Sequence, residues 1–162
     1  MEKTHQVQIV KDLPNKKITV TRNFSAPQAA VWRAWTESQL LDQWWAPKPW
    51  KAETKSMDFR VGGYWLYAMV GPDGTKHWCK VDFAAIDAIN SFDIIDTFCD
   101  ENGIPNSDMP GMSWKNNFSS IGAETQVLVE ISFDTEADFH KIVEMGFEQG
   151  FTMALGNLDE IL

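Results

Sequence analysis

Hydrophobic and polar residues alternate along Lys17 to Phe24, with Ile18, Val20, Arg22 and Phe24 on one side and Lys17, Thr19, Thr21 and Asn23 on the other. This is the period of a half-buried strand. The same period returns downstream. Trp65, Tyr67 and Met69 share a face within Tyr64 to Val70, Phe92, Ile94, Asp96 and Phe98 share one within Phe92 to Cys99, and Val127, Val129, Ile131 and Phe133 alternate through Thr125 to Phe133. Further extended stretches are predicted over Lys51 to Arg60, Lys76 to Ile86 and Met112 to Ser119. Gly62-Gly63, Gly71-Pro72-Asp73-Gly74 and Gly122-Ala123 supply the turns between them. Such short connections imply an antiparallel sheet.

Three other stretches follow a helical period. Ser25 is expected to cap a helix over residues 26 to 37, with Pro27 in its first turn and Ala30, Val31, Ala34 and Trp35 on its apolar face. Gln39 to Trp45 predicts a second short helix, ended by Pro47 and Pro49. From Thr135 to Leu162 the pattern predicts one long amphipathic helix, roughly 42 Å in length, capped by Asp134 or Thr135. Val143, Phe147, Phe151, Ala154, Leu155, Leu158, Ile161 and Leu162 gather on its apolar side. Gly146 and Gly150 interrupt that side, and each costs about 1 kcal/mol relative to alanine in a helix. Two readings compete: the missing side chains let the helix lie close on the sheet, or they leave room for a ligand. His140 and Glu144, four residues apart on or beside this face, present either a polar tip to a pocket or a solvated rim.

One strand, two short helices, about six more strands and a terminal helix make a two-layer α+β domain, a single one over residues 1–162. Residues 1–16 are polar, broken by Pro14 and Asn15, and form either a tail or an edge strand. Eight Trp and ten Phe demand large interior surfaces, some of which can line a cavity. The tryptophan-rich segment from Trp44 to Trp50 is expected to fold onto the core. Asp58 and Arg60 are expected to pair ahead of the Gly62-Gly63 turn.

The formal charge of -9 argues against nucleic acid or an anionic membrane as partner. Polar residues follow Met1 and no apolar run approaches the length of a membrane span, so a cytoplasmic address is expected. Cys79 and Cys99 make no disulfide framework, and His5, His77 and His140 are too scattered for a metal site. No metal or cofactor is expected.

Phe24-Ser25-Ala26-Pro27, Val31-Trp32-Arg33-Ala34-Trp35-Thr36, Trp44-Trp45-Ala46-Pro47, Met57-Asp58-Phe59-Arg60-Val61-Gly62-Gly63-Tyr64-Trp65 and Gly71-Pro72-Asp73-Gly74 together resemble a known family. It is that of the homologues of the heat-shock protein 90 ATPase activator, within the START-related, birch-allergen-like helix-grip superfamily (SRPBCC). The resemblance runs from Lys17 to Leu162, with Gly146 to Leu155 similar to the terminal helix. It implies a curved antiparallel sheet of six or seven strands around a long C-terminal helix, with two short helices after the first strand. It also implies a deep cavity between sheet and helix for lipids, sterols, polyketides or similar molecules. The eukaryotic activator carries a separate chaperone-binding N-terminal domain, which the 16 residues before the first firm strand are expected not to hold.

The leading expectation is a protein that binds a small hydrophobic, lipid-like or polyketide-like molecule. The cavity-lining candidates are Trp65, Tyr67, Met69, Phe98, Trp114, Phe118, His140, Phe147, Phe151 and Leu155, each of which can also be plain core. A co-chaperone or stress-response module with a chaperone partner is the alternative that the resemblance offers. A cyclase or hydrolase is the other, and it would need a buried acid or base. Asp96, His77, Arg60, His140 and Glu144 are available, but no spacing fixes a dyad and no nucleophile elbow or phosphate loop is present. No catalytic residue is assigned, and monomer and homodimer are both open.

Overall fold

The computed structural model describes residues 6–162, so His5 lies outside the described residues. Eight strands form one antiparallel sheet: β1 (Gln8–Asp12), β2 (Lys17–Phe24), β3 (Lys51–Met57), β4 (Tyr64–Val70), β5 (Lys76–Asp87), β6 (Ser91–Cys99), β7 (Met112–Ile121) and β8 (Glu124–Ser132). Their order is β1-β2-β8-β7-β6-β5-β4-β3, so β1 and β3 are the edges. The expected six or seven strands become eight because Gln8–Asp12 pairs with β2, from Gln8 opposite Thr21 to Asp12 opposite Lys17. The two short helices, α1 (Gln28–Thr36) and α2 (Ser38–Trp44), follow this second strand.

Alternation places one set of residues in the core and the other outside. Ile18, Val20, Arg22 and Phe24 of β2 are buried, as are Val127, Val129 and Ile131 of β8. Gly63 makes the sharp turn into β4, because an added Cβ would stand 2.1 Å from the Asp58 carbonyl. Arg60 Nε donates to Asp58 Oδ2 at 2.6 Å ahead of that turn. The start of α1 differs from expectation. Pro27 occupies the N-cap, no side chain caps the helix, and the Ser25 hydroxyl donates instead to Glu124 at 3.4 Å.

Under α1 the interior is solid. The Trp32 ring meets Phe59, Phe92 and Phe118 edge-on at 5.9, 5.6 and 5.3 Å. Trp35 meets Trp44 and Phe118 in the same way at 5.0 and 5.7 Å. Trp44 and Trp45 are buried, and Trp44 Nε1 donates to the Ala34 carbonyl at 2.9 Å. The tryptophan-rich segment is thus folded inward, with Trp50 half-buried and stacked on His77 at 5.3 Å.

The single terminal helix expected over Thr135 to Leu162 is two helices, α3 (Glu136–Glu144) and α4 (Phe147–Asp159). Thr135 caps α3 by accepting the Asp138 amide at 3.0 Å. Gly146, at φ +89°, breaks the rod. Its amide donates to the Val143 carbonyl at 3.1 Å, closing α3 with a left-handed residue before the chain turns into α4. Two segments of roughly 14 and 20 Å replace the 42 Å rod.

Helix α4 is fastened at its C-terminal end. Ala154, Leu155 and Leu158 are buried against the core, and Asn157 Nδ2 donates to the Ala46 carbonyl at 3.1 Å. Arg22 of β2, 8% exposed, grips Asp159 with both guanidinium nitrogens at 2.8 and 2.6 Å and lies 4.7 Å from the Phe24 ring centroid. Lys48 reaches Glu160 at 2.9 Å. Two acids at the negative end of a helix oppose its dipole. Here each is offset by a cation brought from elsewhere in the fold.

Three substitutions test these geometries, each read by urea denaturation. Asp159→Asn leaves the Arg22 guanidinium without its charge partner and should cost about 2 kcal/mol. Gly146→Ala forces a side chain into positive φ and should cost about 1 kcal/mol or more. Gly156→Ala, whose added Cβ meets nothing within 4 Å, should instead gain up to about 1 kcal/mol.

Candidate functional site

Between the inner face of β4–β7 and the chain from Ile142 to Phe151 lies a cavity of about 560 Å³. Successive inward positions build the sheet side: Tyr67 and Met69 from β4, His77 and Cys79 from β5, Asp96 and Phe98 from β6, Met112 and Trp114 from β7. Trp45 and Pro47, which follow α2, close one flank, and Asn106 and Met109 of the β6–β7 loop another. The helical side consists of Ile142, Met145, Gly146, Phe147, Gly150 and Phe151.

Both glycines therefore face the hollow. A Cβ added at Gly150 would come no nearer than 3.7 Å to Pro47 Cγ, and one at Gly146 no nearer than 3.8 Å to Gln149 Oε1. Close approach to the sheet, one of the two readings of these residues, is not what they serve. Their missing side chains widen the cavity.

Of the ten residues expected on the wall, the structure brings six together: Tyr67, Met69, Phe98, Trp114, Phe147 and Phe151. The other four lie elsewhere. Trp65 stacks on Tyr67 at 4.0 Å but donates its Nε1 to Thr54 Oγ1 at 2.9 Å, away from the cavity. Phe118 is packed against Trp32 and Trp35 of α1. Leu155 is 2% exposed in the fastened half of α4. His140 is exposed on α3, edge-on to the Phe139 ring at 6.1 Å, so of its two readings the solvated rim is the one found.

The polar side of the cavity is built by Tyr67, Cys79 and Asp96. Tyr67 Oη accepts the Trp45 Nε1 proton at 2.8 Å and is hydrogen-bonded to the Cys79 thiol. Asp96 stands on β6 opposite Val81 of β5 and Met112 of β7. It is 7% exposed, and its carboxylate draws a stabilising hydrogen bond from the Thr97 amide. A carboxylate in an otherwise apolar alternation, Phe92, Ile94, Asp96 and Phe98, was the available signal for it.

Burial sets the protonation states here. It pushes the Asp96 carboxyl up to about 7, partly countered by the Thr97 amide. It also raises Tyr67 and Cys79, whose ionisation the Asp96 charge further opposes. Cys99 is pushed up to about 11, again chiefly by burial. Both cysteines are free thiols, and neither has the lowered pKa of a nucleophile. Among the described residues, no group of three or more His, Cys, Asp or Glu is placed to hold a metal ion, and no helix is long and apolar enough to cross a membrane.

Comparison with known proteins bears on this architecture. The model of the family described as "Activator of Hsp90 ATPase homolog 1-like protein" matches residues 25–162. A crystal structure of a Mycobacterium smegmatis protein superposes with a TM-score of 0.89 at 28% identity, covering 97% of both chains. The solution structure of an Arthrobacter aurescens protein gives 0.89 at 30% identity, covering 94% of this chain and 88% of that one. The AHSA1 protein of Silicibacter pomeroyi, at 15% identity, TM-score 0.70 and coverage of 89% and 95%, shares the fold. No curated protein matches the chain.

The Asp96 carboxyl gives stability a definite pH dependence. The folded protein holds its proton more tightly than the unfolded chain between the ordinary value of 3.8 and about 7. Stability contributed by this group therefore falls as pH rises through that window and levels off above it. Asp96→Asn should be more stable than wild type at about pH 8, by up to about 4 kcal/mol, with the gap closing toward about pH 4. Urea unfolding across that range checks it.

Proposed function

Because the chain belongs to the family of activator of Hsp90 ATPase homolog 1-like proteins, we propose that it binds a small, largely apolar molecule held between sheet and terminal helices. The observation that carries this reading is the cavity itself. Its volume of about 560 Å³ lies within the usual range for ligand pockets, roughly 300 to 1,000 Å³. Its wall is mostly aromatic and thioether side chains, with a small polar group at one side. Apolar surface removed from water contributes about 25 cal/mol per Å², so a ligand filling this wall gains most of its affinity from burial. Methionines at positions 69, 109, 112 and 145 add a yielding surface that can fit ligands of more than one outline.

A catalytic reading has less support. The wall offers an acid at Asp96, but the neighbouring thiol and phenol are held neutral by burial, and no activated nucleophile stands beside it. A chaperone-directed role draws on the family description alone.

The test uses native mass spectrometry of protein purified without added ligand, followed by titration with apolar compounds read by the fluorescence of Trp45 and Trp114. Retained small-molecule mass and saturable quenching are the expected results. Gly150→Phe places a ring in the hollow from an ordinary helical position, so apolar ligand affinity should fall at least about 10-fold while circular dichroism stays native. Undiminished affinity in that variant would move the binding site out of this cavity.

A further inference from the structure

We propose that the polar side of the cavity recognises a protonated amine: the ligand is an apolar or aromatic molecule with one cationic nitrogen, which pairs with Asp96 while its body lies on the surrounding rings. This inference rests on the ligand-binding reading above and specifies it.

Asp96 is more than nine-tenths buried, faces the cavity and has no cationic partner among the described residues. The one lysine or arginine on the wall among the described residues, Lys76, is engaged with Glu53 at 3.3 Å. Facing Asp96 are Tyr67 from β4 and Cys79 from β5, both kept neutral by burial. Lys76, His77 and Cys99 are the other titratable groups on the wall, and the wall residues from β7, α3 and α4 carry none.

A carboxylate placed in apolar surroundings is expensive to leave unpaired. Three ligand chemistries answer it differently. A fatty-acid carboxylate would set a second negative charge beside it. An alcohol would offer one neutral hydrogen bond. An ammonium group offers an ion pair strengthened by low local dielectric, and the faces of Trp45, Tyr67 and Trp114 can share the cation. The protein's charge of -9 raises the local concentration of cations in the same direction.

Decylamine, decanol and decanoate share a chain and differ at the head group, so they separate these cases. Calorimetric titration at about pH 8 should show the amine binding about 30-fold more tightly than the alcohol, with decanoate weakest. In Asp96→Asn the amine should lose its advantage and fall to about the affinity that the alcohol has for the same variant. In wild type the amine's advantage should shrink at about pH 5.5, where Asp96 is protonated and the amine still charged. If the variant loses both ligands, this wild-type pH series decides. Equal amine and alcohol affinities in wild type, or an amine preference that ignores both Asp96→Asn and pH, would overturn the amine assignment and leave the binding reading standing. If none of the three binds wild type, both readings fall.

Discussion

Helix α4 is fixed to the sheet at one end and held off it at the other, and the form of the interior depends on that difference. At the C-terminal end, Leu155 and Leu158 are within 2% of complete burial, and the Arg22 to Asp159 pair ties helix to strand. At the N-terminal end the chain offers Gly146, Phe147 and Gly150 to the cavity. Close packing is the general tendency of protein interiors, so a hollow of this size persists only where the backbone on both sides cannot collapse. The clasp supplies that resistance on the helix side. The continuous eight-stranded sheet supplies it on the other.

The same division runs through the aromatic residues. Trp32 meets Phe59, Phe92 and Phe118 edge-to-face beneath α1, and these rings make a dense half. Trp45 stands at the boundary, 5.9 Å from Trp35 on the dense side and 5.9 Å from Trp114 on the hollow side. Its indole N–H is committed to Tyr67, which fixes the ring plane and leaves the phenol proton to other acceptors. The dense half is therefore the frame that holds the hollow half open, and aromatic content alone does not distinguish them.

That is why the sequence was legible in some respects and opaque in others. Alternation along Tyr64 to Val70 places Trp65 and Tyr67 on one face, and the structure agrees; yet only Tyr67 reaches the cavity. Periodicity reports which side of a sheet a residue faces, and says nothing of where along that side the covering helix lifts away. Phe118 and Leu155 were misplaced for the same reason. The break at Gly146 was readable in principle, since a glycine after a helical turn is a common left-handed terminator. The apolar side chains continuing beyond it, from Phe147 to Leu158, preserve the helical period across the break and conceal it. Asp159 and Glu160 make sense only with the tertiary partners Arg22 and Lys48, which lie more than 100 residues away in the chain.

Asp96 is the point at which stability and specificity diverge. An apolar residue at this register would pack β6 more favourably, because burial raises the energy of the charged carboxyl. The penalty is only partly relieved, by the Thr97 amide: Tyr67 and Cys79 are near, but neither is a cation, and the Asp96 charge itself helps to keep both protonated. A group that destabilises the empty protein and is aimed into its cavity gives a ligand that neutralises it two gains, the new contact and removal of the old penalty. Apolar walls of this kind select by volume and outline, which discriminate weakly. One unpaired buried charge selects by head group, and it does so most strongly where the rest of the wall offers no competing partner.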